Sequence, residues 1–486
     1  MRSFKPFSPN PAPMLPLISI PEVVSHYAPH FEELFSTGEY RHFQKYLSGL
    51  IVSENKTVEA INRLFVLELQ NQSSLNRFLT DSDYEVSKLN QKRLDLLNSQ
   101  EATCLKGSGH RGGVLGLDDT MLIHYGKCFD EIAKLYDHAS GTYVWAHNLV
   151  NLHYSDDSTD YPTYFELWKP VGADELESGL RAAGIAIKPK KEGLKLSAPK
   201  KWRNYLLYLY RKHQHRADVQ QIYRSKIIIG QDLLRHFFEQ YPNMDIPVSF
   251  DKWFTCPAFC RFIDKELQKA YVGGLKGDED ILLAGSKKIK VADFVGRLKK
   301  EHLSANASKP LFIKTTIKYK GKKEVFYNYC KVHHICGYGR QKLLISHQRE
   351  DLSDTSRVFI GNRLHWRVQH MTRVGRHRWP VEEYHKEGKA EGLDQYQVRN
   401  FGAIEKHIAL VALVYSLLQH ARYNPALLNN LQLQLDTNIK GSIAFWRRTI
   451  QAQALWLLVQ WIDNAIQQGW SLEQIMQTLK PAFAIG

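Results

Sequence analysis

Three acidic residues stand where chemistry could be built around them. Asp118 closes the apolar run Val114-Leu115-Gly116-Leu117, and Asp251 closes Ile246-Pro247-Val248-Ser249-Phe250. A short apolar run that ends in acid reads as a buried strand with a carboxylate at its end. Glu382 lies in Arg378-Trp379-Pro380-Val381-Glu382-Glu383. Pro380 suits the first position of a helix, where its missing N–H costs nothing. Glu382 and Glu383 then fall in the first turn, where the positive end of the helix dipole favours carboxylates. Hard divalent cations such as Mg²⁺ take oxygen ligands, commonly one or two carboxylates each, with water and substrate phosphate. Two such ions can stabilise the attacking and leaving oxygens of an in-line displacement. Two strand-terminal aspartates and one helical glutamate are therefore the ingredients of a two-metal phosphoryl-transfer site. They are far apart in sequence, so only a fold could join them.

The surroundings of Glu382 are strongly basic. His385, Lys386 and Lys389 follow it at three, four and seven residues, so one helical face would carry an acid ringed by cations. A solvated face with ordinary ion pairs is the alternative. Between Arg357 and Lys389 there are eight Arg or Lys against three Glu, a density suited to a phosphate backbone. The whole chain of 486 residues carries a formal net charge of +15, with a pI near 9.3. Such a balance points to a polyanionic partner, nucleic acid first and an anionic membrane surface second. Trp253, Trp366 and Trp379 could each stack a base or pack the core. Asp119 rivals Asp118, and Glu383 rivals Glu382, as the acid that counts.

The six cysteines are too few for a disulfide scaffold and argue for a reducing compartment. Cys330 to Cys336 has zinc-ligand residue types, but its spacing fits no common finger and it alternates like a strand. Cys256 and Cys260 read as helix-packing residues. Five prolines interrupt Met1 to Leu17, which excludes a signal-peptide pattern there. The apolar run Ile408 to Leu418 is too short to cross a bilayer. A soluble, cytoplasmic protein is the expectation.

The elements that must position the acids can be read in outline. Residues 1–20 form a proline-rich arm, and helical spacing follows to about Leu97, with Thr80-Asp81-Ser82-Asp83 as a helix start signal. Gly107 to Gly113 is a joint. The Asp118 strand and two more, Tyr143 to Tyr154 and Tyr164 to Trp168, suggest the opening meander of an α/β sheet. Lys188-Pro189-Lys190-Lys191 and Lys200-Lys201 read as a solvated or phosphate-contacting loop. Tyr205 to Gln240 is helical in pattern, Pro257 to Leu267 a helix, and Ala270 to Leu275 a strand. Residues 284–356 read as a β-rich insertion with a turn at Lys320-Gly321-Lys322-Lys323. Ile404 to Ala421 should be a core helix, and Phe445 to Ile466 and Leu472 to Leu479 further helices. In those last helices Trp446, Trp456, Trp461 and Trp470 read as core or interface residues.

At Leu117-Asp118-Asp119-Thr120, Phe250-Asp251-Lys252-Trp253-Phe254 and Arg378 through Lys389 the sequence resembles the DDE transposases of bacterial insertion sequences. The last segment matches in part their Y-x2-R-x3-E-x6-K signature, as Arg378, Glu382 and Lys389, with Gly375 at the tyrosine position. It continues through Gly392-Leu393 and Tyr396-Gln397-Val398-Arg399, and Tyr46 to Leu50 resembles the family's N-terminal region. The resemblance implies an α/β fold: a ribonuclease-H-like mixed-sheet core interrupted by a β-rich insertion, with helical N- and C-terminal regions. The divisions would be 1–106 (arm and helical, DNA-binding), 107–283 (first part of the core), 284–356 (insertion), 357–425 (rest of the core) and 426–486 (C-terminal helices). It implies Asp118, Asp251 and Glu382 as catalytic residues and metal ligands. Asp118 is preferred over Asp119 because Thr120 sits two residues beyond it, and Glu382 over Glu383 by its spacing to Arg378 and Lys389. Arg378, Lys389, Arg376 and Lys386 would bind DNA. The tyrosine's contact to a terminal phosphate would be missing or supplied elsewhere, with Tyr384 and His377 as the candidates. Mg²⁺ is the implied cofactor, with Mn²⁺ able to substitute. The implied partners are double-stranded DNA, as terminal inverted repeats and target, and a second copy in a synaptic homodimer in the bacterial nucleoid. The implied activity is metal-dependent strand cleavage and strand transfer. A silent, domesticated DNA-binding relative and a structure-specific nuclease are the alternatives.

Overall fold

The computed structural model describes all residues except 1–13, 69–70, 108–111, 189–197, 284–286, 305–309, 436–440 and 484–486. Most of the arm, four residues of the glycine joint and the Pro189-Lys190-Lys191 run therefore lie outside the described residues. Five helices come first: α1 (Glu22–Tyr27), α2 (Thr37–Val52), α3 (Val58–Leu64), α4 (Gln72–Thr80) and α5 (Val86–Asn98). α2 opens on a reciprocal cap between Ser36 and Glu39. The predicted start at Thr80 to Asp83 is instead the end of α4: Asp81 is its C-cap, and α5 begins only after Glu85.

Four strands follow: β1 (Val114–His124), β2 (Ala133–Asp137), β3 (Thr142–Ser155) and β4 (Asp160–Trp168). β3 pairs antiparallel with β1 along one edge and with β2 and β4 along the other. Four helices cross next: α6 (Ala173–Ala182), α7 (Ala198–His213), α8 (Ala217–Gln220) and α9 (Lys226–Gln240). The stretch read as one helical region, Tyr205 to Gln240, is thus broken twice. The chain re-enters the sheet as β5 (Val248–Phe250), parallel to β1. It turns through α10 (Pro257–Arg261) and returns as β6 (Tyr271–Gly274), parallel to β5.

β7 (Asp280–Leu282) lies just before the segment read as a β-rich insertion; that segment carries β8 (Lys288–Lys290), β9 (Ile313–Tyr319), β10 (Lys322–Ile335) and β11 (Gly339–His347). It also holds a 13-residue helix absent from the reading, α11 (Val291–Leu303). β12 (Arg357–Gly361) pairs with β6 and β11, so these strands continue the same twelve-stranded sheet. Lys320 and Gly321 both have positive φ (46° and 80°), the backbone a two-residue hairpin with right-handed strand twist requires. Cys330 to Cys336 runs along β10 and its end, and all six cysteines are free thiols.

The chain closes with α12 (Val368–Arg376), α13 (Trp379–Ala390), α14 (Phe401–Ala421), α15 (Pro425–Leu435), α16 (Ile443–Gln467) and α17 (Leu472–Phe483). α14 is long and apolar enough to cross a membrane, but most of it is buried inside the protein as the predicted core helix. It packs on α2, α4 and α5, and one continuous apolar core runs from Leu17 to Ala454. Buried hydrogen bonds tie the N-terminal helices to it, among them Tyr46 to His407 at 2.7 Å, Tyr27 to His420 at 2.8 Å and Arg93 Nη1 to the Ser416 hydroxyl at 2.8 Å. Trp446 is buried, whereas Trp470 is substantially exposed.

Candidate active site

The parallel ladder between β1 and β5 ends at Leu117 opposite Phe250. The next residue on each strand is an aspartate, so Asp118 and Asp251 emerge side by side where the ladder stops. β1 itself does not stop there: it runs on to His124 against β3, so Asp118 is mid-strand rather than strand-terminal as predicted. The strand alternation that follows sends Asp119 elsewhere. It accepts from Asn148 Nδ2 at 2.6 Å and pairs with Lys226 Nζ at 2.8 Å.

Asp251 fixes its own loop. Its Oδ1 accepts the backbone N–H groups of Trp253 (2.9 Å) and Phe254 (3.2 Å), and its carbonyl accepts from the Thr255 hydroxyl at 3.0 Å. Gly274 of β6 backs this loop. A Cβ there would come within 2.9 Å of the Lys252 nitrogen, so only glycine lets the strand approach so closely.

Glu382 arrives on α13, which begins at Trp379 with Pro380 in its first positions, within one residue of expectation. The start of α13 lies over β1, where a Cβ on Gly116 would touch the Arg378 backbone at 3.6 Å. His385 faces inward. It is buried, hydrogen-bonded to Asn151 on β3 at 3.0 Å, and burial drives its pKa down to about 3. The ring of cations predicted around Glu382 therefore lacks His385, a neutral clamp between helix and sheet; Lys386 is exposed and Lys389 half-buried. Glu383 turns away to Lys320 at 3.2 Å.

Asp118, Asp251 and Glu382 line one open cavity of 610 Å³, together with Lys252, Gly274, Arg357 and Arg378. Arg378 lies between the acids. Its Nη1 donates to Asp118 Oδ2 at 2.9 Å and its Nη2 to Glu382 Oε1. Burial pulls the guanidinium's pKa down, but Asp118, Glu382 and Asp251 outweigh it and hold the group above its ordinary value. Burial pushes Asp118 up to about 7; Arg378 opposes the rise, and the neighbouring Asp251 and Asp119 add to it. Burial also raises Asp251, against the two loop N–H groups it accepts. Both aspartates are raised although Arg378 faces them, so the site would accept further positive charge, and oxygen donors suit a hard divalent ion. The donor chemistry fits such an ion. Among the described residues, however, no three His, Cys, Asp or Glu side chains are drawn together closely enough to hold one, and Glu382 is turned onto Arg378.

The other basic residues are placed unevenly. Arg376 is committed to Glu324 at 2.8 and 3.0 Å and lies 3.9 Å over the Tyr319 ring. Arg373 is buried and donates to the Gly112 carbonyl at 2.8 Å. Much of the cation density between Arg357 and Lys389 is thus used inside the protein. Tyr384 and His377, proposed as substitutes for the signature tyrosine, are both buried and present nothing to a terminal phosphate. His377 Nδ1 instead bonds the Ser155 hydroxyl at 2.8 Å. Trp253 is exposed beneath Lys226 at 4.1 Å, Trp379 is partly exposed, and Trp366 meets His370 edge-on at 4.1 Å. Sequence reasoning missed Lys252 and Gly274 as cavity residues; the paired glycines Gly273-Gly274 after an acidic loop were the available signal.

The sequence profile of a family described as DDE superfamily endonuclease matches residues 30–290. That span holds Asp118 and Asp251 and ends before Glu382. No curated protein matches the chain.

Proposed function

This chain belongs to the DDE superfamily of endonucleases, and we propose that it is a DNA transposase of the insertion-sequence type. The observation that carries the reading is the pair of aspartates at the end of the β1/β5 ladder facing Glu382 across one cavity. A meander of antiparallel strands followed by two parallel ones, with the acids at their shared end, supports a ribonuclease-H-like core. Asp118, Asp251 and Glu382 would hold divalent ions, Mg²⁺ by preference with Mn²⁺ as substitute. The chemistry supplied there by bound ions would be activation of the attacking oxygen and neutralisation of charge on the phosphate.

The remaining work falls to the chain's own side chains. Asp251 is held in place by its loop N–H groups, and the packing of α13 on β1 and β3 fixes the backbone that carries Glu382, so only the Glu382 side chain has to turn. Arg378 neutralises Asp118 and Glu382; when Glu382 turns toward the aspartates, the guanidinium is left beside the scissile phosphate. Lys386 and Lys389, one and two turns along the same helix, would follow the backbone, with Arg376 holding the β9–β10 hairpin alongside. The reaction is hydrolysis at a transposon end, then attack of the freed 3′-hydroxyl on target DNA in a complex of two copies. Little covalent chemistry is asked of the protein beyond positioning and charge.

The test is cleavage of linear DNA carrying the sequences that flank the coding region, with Mg²⁺ and then with EDTA. Asp118→Ala, Asp251→Ala and Glu382→Ala should each abolish cleavage while DNA binding persists. Full cleavage by any of the three removes that residue from the site. Cutting of branched DNA irrespective of terminal sequence would make the protein a structure-specific nuclease. Binding without cutting by the unaltered chain would leave the silent relative.

A further inference from the structure

A second cleft, of 780 Å³, opens between β9 and the start of α12. It takes no part in holding the three acids. Lys318, His365, Trp366, Arg367, Arg373 and Asp157 line it. Asp157, the acid among these six, is already engaged: it lies 3.5 Å from His377 Nε2 and accepts the Lys320 backbone N–H at 3.3 Å. Lys318 and Arg367 are exposed, so the cleft presents an excess of positive charge to solvent.

Arg373 makes this a built site rather than a basic surface. It is only 6% exposed, and its Nη2 is spent on Gly112, yet its buried Nε has no hydrogen-bond partner. Buried donors are normally satisfied, so an orphaned one lining a cleft points to an acceptor brought from outside. The first turn of α12 adds to this, because Arg367 at its N-cap makes no side-chain cap. Backbone N–H groups and the positive end of the helix dipole thus line the same cleft. Trp366, half-buried, supplies a flat apolar wall.

We propose that this cleft is a second DNA-backbone site, holding phosphodiester groups away from the bond that is cut; the proposal rests on the transposase reading above. Its position relates it to the first site. Arg373 pins Gly112, and Asp118 lies six residues further on, at most ~20 Å at the usual strand rise. At about 3.4 Å of axis per nucleotide on one strand, that corresponds to at most roughly six nucleotides. One duplex could therefore reach both sites.

The test uses the intact chain in EDTA, so that no cleavage intervenes, and a 30-bp duplex of arbitrary sequence followed by fluorescence anisotropy from low to moderate NaCl. Each lost phosphate contact lowers the slope of log affinity against log salt by about 0.9. The Lys318→Ala/Arg367→Ala double variant should lose ~1.8 from that slope and bind more weakly at every salt concentration. Arg448→Ala/Lys480→Ala, which removes two exposed cations on α16 and α17 outside the cleft, should keep the original slope. A cleft variant with the unaltered slope overturns the second site while leaving the transposase reading intact. Failure of the unaltered chain to bind duplex at low salt overturns both.

Discussion

Replacing Asp118 by Asn should make the protein more stable at pH 8 and inactive at once. Asp118 is 86% buried, with Arg378 the guanidinium that faces it, and burial lifts its pKa from 3.8 to about 7. A difference of ~3 pKa units between folded and unfolded chains corresponds to ~4 kcal/mol held against the folded state once the carboxyl is ionised. Asn keeps the shape but has one oxygen, whereas Asp118 accepts the Asp119 N–H on Oδ1 and Arg378 on Oδ2. One of these bonds is lost at every pH, at ~1–3 kcal/mol, and the amide cannot ionise. The sign follows from linkage: a carboxyl whose folded pKa is raised favours folding while protonated, and that advantage is lost as pH rises from ~4 to ~7. The variant has no such loss. Its stability relative to the unaltered protein should therefore grow across that range and level off above pH 7. Shifted groups away from the site, such as Glu391 at about 8, are common to both proteins and cancel in the difference. Urea unfolding in EDTA at pH 5 and pH 8 reads the gap directly, with ~4 kcal/mol as its ceiling at the higher pH. Mg²⁺ at ten times its dissociation constant should then add roughly 1.4 kcal/mol to the unaltered protein alone. An equal gap at pH 5 and pH 8, or a variant less stable at pH 8, would refute the claim that Asp118 is held ionised against its surroundings.

Three further substitutions separate positioning from stability. Gly274→Ala places a methyl 2.9 Å from the Lys252 nitrogen and 3.4 Å from the Asp251 carbonyl carbon, backbone that cannot yield cheaply. It should cost ~1–3 kcal/mol and lower single-turnover cleavage at least ~10-fold; unchanged cleavage would show that the Asp251 loop tolerates displacement. Lys320→Ala strips the lysine from Asp160, a carboxylate with 5% of its side chain exposed. Burial pushes the Asp160 pKa up, but Lys320 and His153 outweigh it and hold it well below the usual range. The loss should be ~3 kcal/mol above pH 4 and should shrink as pH falls, because the stabilising ionised form disappears there; a deficit that persists in acid would point to hairpin packing instead. Tyr46→Phe deletes the hydrogen bond to His407 and should cost ~1 kcal/mol in a urea melt with cleavage unaffected.

What could be read in the sequence was local. Pro380 with glutamates in the next turn marks a helix start wherever it occurs, and the Lys320-Gly321 turn is specified by the backbone angles those residues accept. The apolar content of α14 leaves it nowhere to go but the core. What could not be read was pairing between distant elements. His385 has helical spacing from Glu382, but whether it becomes a surface cation or a buried neutral clamp depends on Asn151, more than two hundred residues earlier. Arg376 reads as a DNA contact until Glu324 is seen beside it. β1 reads as ending at its acids, because the antiparallel partner that carries it on to His124 has to be supplied by β3.

The same dependence explains Arg378. Its spacing to Glu382, one helical turn, is local and legible, and by itself gives an ordinary surface ion pair. Only the fold adds Asp118 on the other side of the guanidinium, with Asp251 beyond it. Two buried aspartates and a glutamate cannot remain ionised together without positive charge between them, and that charge is intrinsic to the chain. A divalent ion and a DNA phosphate would then act on one shared balance: the ion takes over the carboxylates, and the phosphate takes over the arginine. Metal and DNA should for this reason bind more tightly together than either does alone, a coupling that isothermal titration of Mg²⁺ with and without duplex would measure. Equal Mg²⁺ affinity in the two titrations would mean that Arg378 stays with its acids and that the phosphate is bound by other groups.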